Sequence, residues 1–158
     1  MRFIIDGMLG SLNRWLRMIG YETDYVKDKP DNDLVDCAVQ SSSILLTADK
    51  ELHRTAIARG ADSYLVTEEN EAERLAVLAR RYNLRLYIDP NLSKCPACGC
   101  PIKEVAKSDI ELSVPSTTFK TYQSFWRCSN PTCVKIYWHG SHWRRIEQTL
   151  ELARKIVA

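Results

Sequence analysis

Across residues 1–90, short apolar runs alternate with longer stretches of helical periodicity, and this rhythm leaves few folds open. Candidate strands are residues 2–6 (RFIID), 23–26 (TDYV), 43–47 (SILLT) and 62–66 (DSYLV), with 84–88 (LRLYI) as a weaker fifth. Helical patterns fall at about 8–19, 31–41, 49–59 and 69–82. In the first, Leu9, Leu12, Leu16 and Ile19 share one face, while Arg14 and Arg17 project from a different side. Strand and helix in strict alternation imply βαβ units, hence an α/β fold with a parallel sheet and helices on both faces. The "ILL" of 44–46 is continuously apolar, as a strand covered on both sides should be.

After Ile88 the texture changes to the turn- and cysteine-rich "DPNLSKCPACGCP". A boundary is expected there, giving an α/β domain over 1–90 and a second unit over 91–158. Little helical pattern follows until about residue 138. An amphipathic helix over roughly 141–157 then places Ile146, Leu150, Ala153 and Val157 on one side.

Cys95-Pro-Ala-Cys98 and Cys128-Ser-Asn-Pro-Thr-Cys133 form two knuckles separated by 29 residues. Two tight turns, each offering a pair of thiolates, supply the four soft ligands that tetrahedral zinc requires, so a structural zinc ribbon is expected. Cys100 remains an alternative to Cys98 as a ligand. His139 and His142, in "YWHGSHW", are in excess of zinc's needs and suit packing or substrate contact. Clustered cysteines favour metal over disulfides in a cytosolic chain. The strand-like start "MRFIID" does not resemble a signal peptide, and no apolar run approaches the ~20 residues of a membrane span. The expected location is cytoplasmic, with no membrane partner.

Three aspartates fall at the carboxyl rim of the expected sheet, where ligands of parallel α/β folds gather. Asp6 ends the first strand, Asp31 opens the helix after the second, and Asp49 follows the third in Thr47-Ala48-Asp49. Asp31 shares a face with Leu34 and Ala38, which makes it a candidate for a buried edge position, whereas Asp33 and Asp36 point elsewhere. Asp at a helix start is equally a favoured N-cap, and for Asp31 and Asp49 both roles stay open. Converging carboxylates repel one another unless a cation neutralises them, and oxygen ligands suit Mg²⁺ or Mn²⁺. Such a cation can activate water for phosphodiester cleavage. Gly7 and Gly10 would leave room for a phosphate beside Asp6. Arg14 and Arg17 are candidate phosphate contacts, with a solvated helix face as the competing role.

Charge is divided unevenly: residues 1–90 carry a net −3 and residues 91–158 a net +5. An acidic front and a basic back suit a polyanion gripped by one part and worked on by the other.

The stretches "IIDGMLGSLNRWLRMIGYET", "PDNDLVDCA", "ILLTADKEL", "CPAC" and "RCSNPTCVKIYWHGSHWRRI" together resemble the PIN-like ribonuclease family of the Mut-seven C-terminal RNase domain type, over almost the whole chain. The resemblance implies a Rossmann-like PIN fold over 1–90 with a C-terminal zinc ribbon and terminal helix. It also implies a metal-dependent ribonuclease whose acidic residues fall on Asp6, Asp31 and Asp49. Several relatives have Thr-Arg-Asp where this chain has Ala48. PIN domains usually carry a fourth acid, for which Asp33, Asp62 and Glu68 are candidates.

The expected function is therefore RNA cleavage at an Mg²⁺- or Mn²⁺-binding Asp cluster. Trp126, Trp138, Trp143 and His142 are candidate RNA contacts, favouring single-stranded or loop regions through stacking. The tryptophans serve equally to cover the zinc and dock the ribbon. The alternative is a catalytically weak adaptor that binds RNA or the ribosome through its ribbon. A phospho-accepting receiver domain would leave the ribbon unexplained.

Overall fold

The computed structural model describes residues 1–158. Strands β1 (Arg2–Asp6), β2 (Glu22–Val26), β3 (Ile44–Thr47) and β4 (Ser63–Leu65) form an all-parallel sheet in the order β2-β1-β3-β4. The helices between them are α1 (Gly10–Met18, entered through a 3-10 turn at Gly7–Leu9), α2 (Asp31–Ser41) and α3 (Lys50–Ala58), and α4 (Glu71–Tyr82) follows β4.

The two-residue period of the strands divides the core. Phe3 and Ile5 of β1, with Ile44 and Leu46 of β3, face α1 and α4. Ile4 and Leu45 point the other way, onto Leu34, Val35 and Ala38 of α2 and Leu52 and Ala56 of α3. Every residue of β3 is buried, which explains its unbroken apolar run. The chain runs from β1 to β2 on one side, then crosses to β3 on the other. This reversal creates a crevice beyond the carboxyl ends of β1 and β3, the position where such sheets bind ligands.

Residues 84–88 do not form the fifth strand that their alternation suggested. Leu84 and Leu86 are buried in the α1/α4 core, so the pattern reports burial correctly. Side chains, rather than a neighbouring strand, take up backbone groups there: the Arg85 N–H donates to the Tyr21 hydroxyl (2.8 Å), and Arg154 donates to the Leu86 carbonyl (2.5 Å).

The second sheet is small and antiparallel, with β5 (Ile102–Val105), β6 (Phe125–Cys128) and β7 (Ile136–Tyr137) in sequence order. Between β5 and β6 lie two 3-10 turns and a short helix, α5 (Ser116–Thr121), within a stretch expected to hold little helix. A parallel α/β sheet joined to a small cysteine-bearing antiparallel sheet is the PIN-like plus ribbon architecture that the resemblance implied.

The chain then returns. Helix α6 (Trp143–Val157) lays Leu150 and Ala153 into the same core as Leu75, Ala76 and Ala79 of α4. Small alanines on both helices let their backbones approach. The Arg80 guanidinium donates to the carbonyl of Ile156 near the end of α6. No helix is long and apolar enough to cross a membrane.

Leu150 is fully buried and Leu152 exposed, which separates the two faces of α6. Leu150→Ala should cost about 2–5 kcal/mol in urea denaturation, and Leu152→Ala within about 0.5 kcal/mol.

Candidate active site and metal centre

The carboxyl ends of β1 and β3 bring two of the three aspartates into one hydrogen-bonded chain. Ile5 pairs with Leu46, so Asp6 and Thr47 emerge side by side. The Thr47 hydroxyl donates to Asp6 Oδ2 (2.9 Å) and accepts from the Asp49 N–H (3.0 Å). Asp49 is the N-cap of α3: its Oδ1 accepts from the N–H groups of Glu51 (2.9 Å) and Leu52 (3.3 Å). The cap uses Oδ1 alone and leaves Oδ2 without a protein donor. Thr47, a buried hydroxyl inside an apolar strand, is the residue that sequence reading missed. Its signal was a Thr two positions ahead of a helix-capping Asp.

Asp31 begins α2 just beyond β2, on the same rim, but it is exposed rather than at a buried edge. As the first helical residue it precedes the part of its face that Leu34 and Ala38 bury. It has no hydrogen-bond or ion-pair partner, and Pro30, not Asp31, occupies the N-cap position. Asp6, Asp31 and Asp49 do not form a close group of potential metal ligands as the cysteines do. Among the further acids, Asp33 is exposed in the first turn of α2. Asp62 lies before β4, at the opposite rim, where it accepts from Tyr82 (3.1 Å). Glu68 lies beyond the carboxyl end of β4 and accepts from the Tyr64 hydroxyl (2.6 Å). Burial and then this carboxylate push the Tyr64 phenol up to about 12. Glu71, at the start of α4, pairs with Arg74 through Oε1 (2.8 Å) and keeps Oε2 buried without a partner.

The space at Gly7 and Gly10 is taken by protein rather than left open. A Cβ on Gly7 would lie 3.0 Å from the Lys27 Cα, and one on Gly10 would lie 2.9 Å from the Tyr25 hydroxyl oxygen. That hydroxyl donates to the Gly7 carbonyl (2.6 Å) and ties the start of α1 to β2.

Arg14 is exposed on α1, as a phosphate contact requires. Arg17 is not: it is 8% exposed, and its guanidinium is committed to the Thr23 hydroxyl (2.8 Å) and the Pro96 carbonyl (3.2 Å). Its own carbonyl accepts from the Lys94 N–H (2.8 Å). Its role is to tie the α/β unit to the first cysteine knuckle. Gly99 completes the tie. Its φ of +82° suits glycine, and an added Cβ would meet the Arg17 Nε at 3.1 Å.

The sulfurs of Cys95, Cys98, Cys128 and Cys133 lie within 4.8 Å of one another. Cys95 and Cys133 are 3.8 Å apart and Cys98 and Cys128 3.3 Å. Tetrahedral zinc with bonds of about 2.3 Å places its sulfurs about 3.8 Å apart, so the quartet fits a metal such as zinc. Cys100 stays outside the quartet and supplies its carbonyl to the Cys95 N–H (2.7 Å). The longer second knuckle closes through Asn130. Its carbonyl accepts from Cys133 and Val134 (3.0 Å each), and its side chain accepts from the Thr132 N–H (3.1 Å). Burial raises the Cys98 thiol, but hydrogen bonds from Cys100, Cys128 and Asn130 outweigh it and draw the pKa down to about 6. Burial pushes Cys128 up. Four thiolates this close would repel one another, and a cation among them would offset that repulsion. The Tyr137 hydroxyl reaches the Cys95 sulfur (3.0 Å), and burial, followed by this bond, raises the phenol.

The ribbon's aromatic residues mostly face one another. His139 lies between Trp126 (4.9 Å between centroids) and Trp143 (3.7 Å), and Trp138 packs at a tilt on buried Phe125 (6.1 Å). His142 is exposed just before α6.

Metal analysis of the reduced protein should give about one zinc per chain. Cys98→Ser should lose it and Cys100→Ser should keep it, whereas the reverse result would make Cys100 the ligand. Burial, opposed by Glu147, lowers the pKa of His139. Its NMR titration midpoint should fall below the ~6.5 of a free imidazole. The unfolded chain then binds the proton first, so this group lowers folding stability as pH drops below about 6.5, an effect complete once pH passes the folded value. Above both values it contributes nothing.

The sequence matches the family model of the Mut7-C RNAse domain over residues 1–150. No curated protein and no solved structure matches the chain. With the family model spanning nearly the full length, the chain belongs to the Mut7-C RNAse domain family, and its function is of the ribonuclease type.

Proposed function

We propose that the protein is a metal-dependent ribonuclease acting at the crevice between the carboxyl ends of β1 and β3. The observation that carries this reading is the Asp6–Thr47–Asp49 chain at the switch point of a parallel sheet. The donor set is all oxygen, the chemistry that Mg²⁺ and Mn²⁺ prefer. Mg²⁺ commonly retains several waters, so carboxylates too widely spaced for direct contact all round can share one ion through them. Asp6 and Asp49 would hold the ion, with Asp31 facing it from the start of α2. When bound, the ion would activate water and neutralise charge developing on the cleaved phosphodiester.

The chain's own contribution is orientation. The Thr47 hydroxyl fixes Asp6 through Oδ2 and aligns the backbone of Asp49. The first turn of α3 fixes Asp49 through Oδ1 and leaves Oδ2 free of protein donors. The cysteine quartet is closed by its four sulfurs and would serve structure, with zinc as its ion. RNA is the substrate that the family affiliation supports.

The test is cleavage of labelled RNA with Mn²⁺ or Mg²⁺, beside Asp6→Asn. The native protein should cleave, a chelator should stop it, and Asp6→Asn should be inactive. Equal cleavage by the two proteins would place the active site elsewhere. RNA binding by both without cleavage by either would favour the adaptor role. Thr47→Val should keep the fold and lower turnover by about 10- to 100-fold, the usual loss when a metal ligand loses its orienting partner.

A further inference from the structure

Beside the proposed site runs an open groove of about 410 Å³ between α1 and the β2 end on one wall and the two cysteine knuckles on the other. Arg14, Arg17 and Lys27 line the first wall, Lys135 lines the second, and no carboxylate lines either. Arg17 is buried and committed to Thr23 and Pro96. Arg14, Lys27 and Lys135 are exposed, and none is in an ion pair. Elsewhere on the surface, Arg2 pairs with Asp24 and Lys155 with Glu151. Three exposed cations outside any ion pair, around a groove that no carboxylate lines, favour a polyanion there.

The groove begins at the acidic rim. Asp6 pairs in register with Val26, and Lys27 is the next residue. Tyr25, also in the lining, holds the Gly7 carbonyl directly after Asp6. The far end is built by the metal centre. Tyr137 touches the Cys95 sulfur (3.0 Å), and Lys135 lies two residues beyond Cys133. Arg17 sets the spacing of the walls by reaching from α1 to Pro96.

We propose that this groove is the track for a single RNA strand, with Arg14, Lys27 and Lys135 contacting successive backbone phosphates and leading the strand from the ribbon to Asp6. The inference rests on the ribonuclease reading and adds to it the path of the substrate. Three phosphate contacts predict both affinity and salt dependence, because each releases counterions on binding.

The test measures binding of a labelled single-stranded oligouridine to full-length, zinc-loaded Asp6→Asn protein at several salt concentrations. Arg14→Ala, Lys27→Ala and Lys135→Ala are combined in one variant. Lys103→Ala, Lys120→Ala and Lys155→Ala are combined in a control with the same loss of charge. Zinc content and urea midpoint confirm that each variant is folded. The groove variant should bind at least about tenfold more weakly, and its log Kd against log salt should be flatter by about 2, at about 0.7 per phosphate contact. The control should retain both affinity and slope. Equal losses in the two variants would make the attraction a matter of net charge and overturn the groove. Unchanged binding in the groove variant, or no RNA binding by the parent, would also overturn it. Cleavage by the native protein judges the ribonuclease reading separately, so either idea can fail alone.

Discussion

Arg17 joins the two halves of this molecule. Its guanidinium lies inside the structure, one nitrogen on Thr23 of the parallel sheet and another on the Pro96 carbonyl of the first knuckle. Thr23 in turn donates to Asn13 (2.6 Å), a buried polar relay that locks α1 against β2. A buried cation with no carboxylate partner is expensive to keep. It is met instead by neutral oxygens, the Thr23 hydroxyl and the Pro96 carbonyl, with Gly99 packed under the guanidinium. The contact therefore ties the parallel sheet to the first cysteine knuckle. The position of α1 relative to the ribbon, and with it the width of the cationic groove, depends on that link.

The sheet supplies the other constraint. Strand order β2-β1-β3-β4 forces a reversal between β1 and β3, and the register there leaves Asp6 beside Thr47. The rhythm of strand and helix, with the unbroken apolar run of β3, was enough to foresee helices on both faces, and Ile4 and Leu45 do point away from Phe3, Ile5, Ile44 and Leu46. It could not reveal whether an alternating run finds a strand to pair with. Leu84 and Leu86 have the burial of a strand, but their neighbourhood offers Tyr21 and Arg154 instead of a free sheet edge.

Residue chemistry was most legible where a few side chains must meet in a tight local frame. The two knuckles were readable from spacing, and only the choice between Cys98 and Cys100 needed three dimensions. There the fold gathers the Cys98 sulfur into the cluster and uses the Cys100 carbonyl in a turn. Features that depend on distant parts of the chain were opaque. Helical periodicity put Arg14 and Arg17 together as surface cations, yet the ribbon packs over one and leaves the other exposed. The glycines beside Asp6 suggested space for a ligand, and Tyr25 of β2 and Lys27 just after it fill that space. Asp31 shares its face with Leu34 and Ala38, but burial starts one turn later, with Leu34.

Helix α6 has a mechanical consequence. Because Leu150 and Ala153 sit in the core of the parallel sheet, the chain leaves that core near Ile88 and comes back to it after the ribbon. The ribbon is thus a loop moored at both ends rather than a pendant module on a flexible tether. Two attachments constrain its swing relative to the sheet more than a single tether would. A strand of nucleic acid lying across both parts would then meet a nearly rigid bed, and little orientational freedom would remain to be lost when it settles.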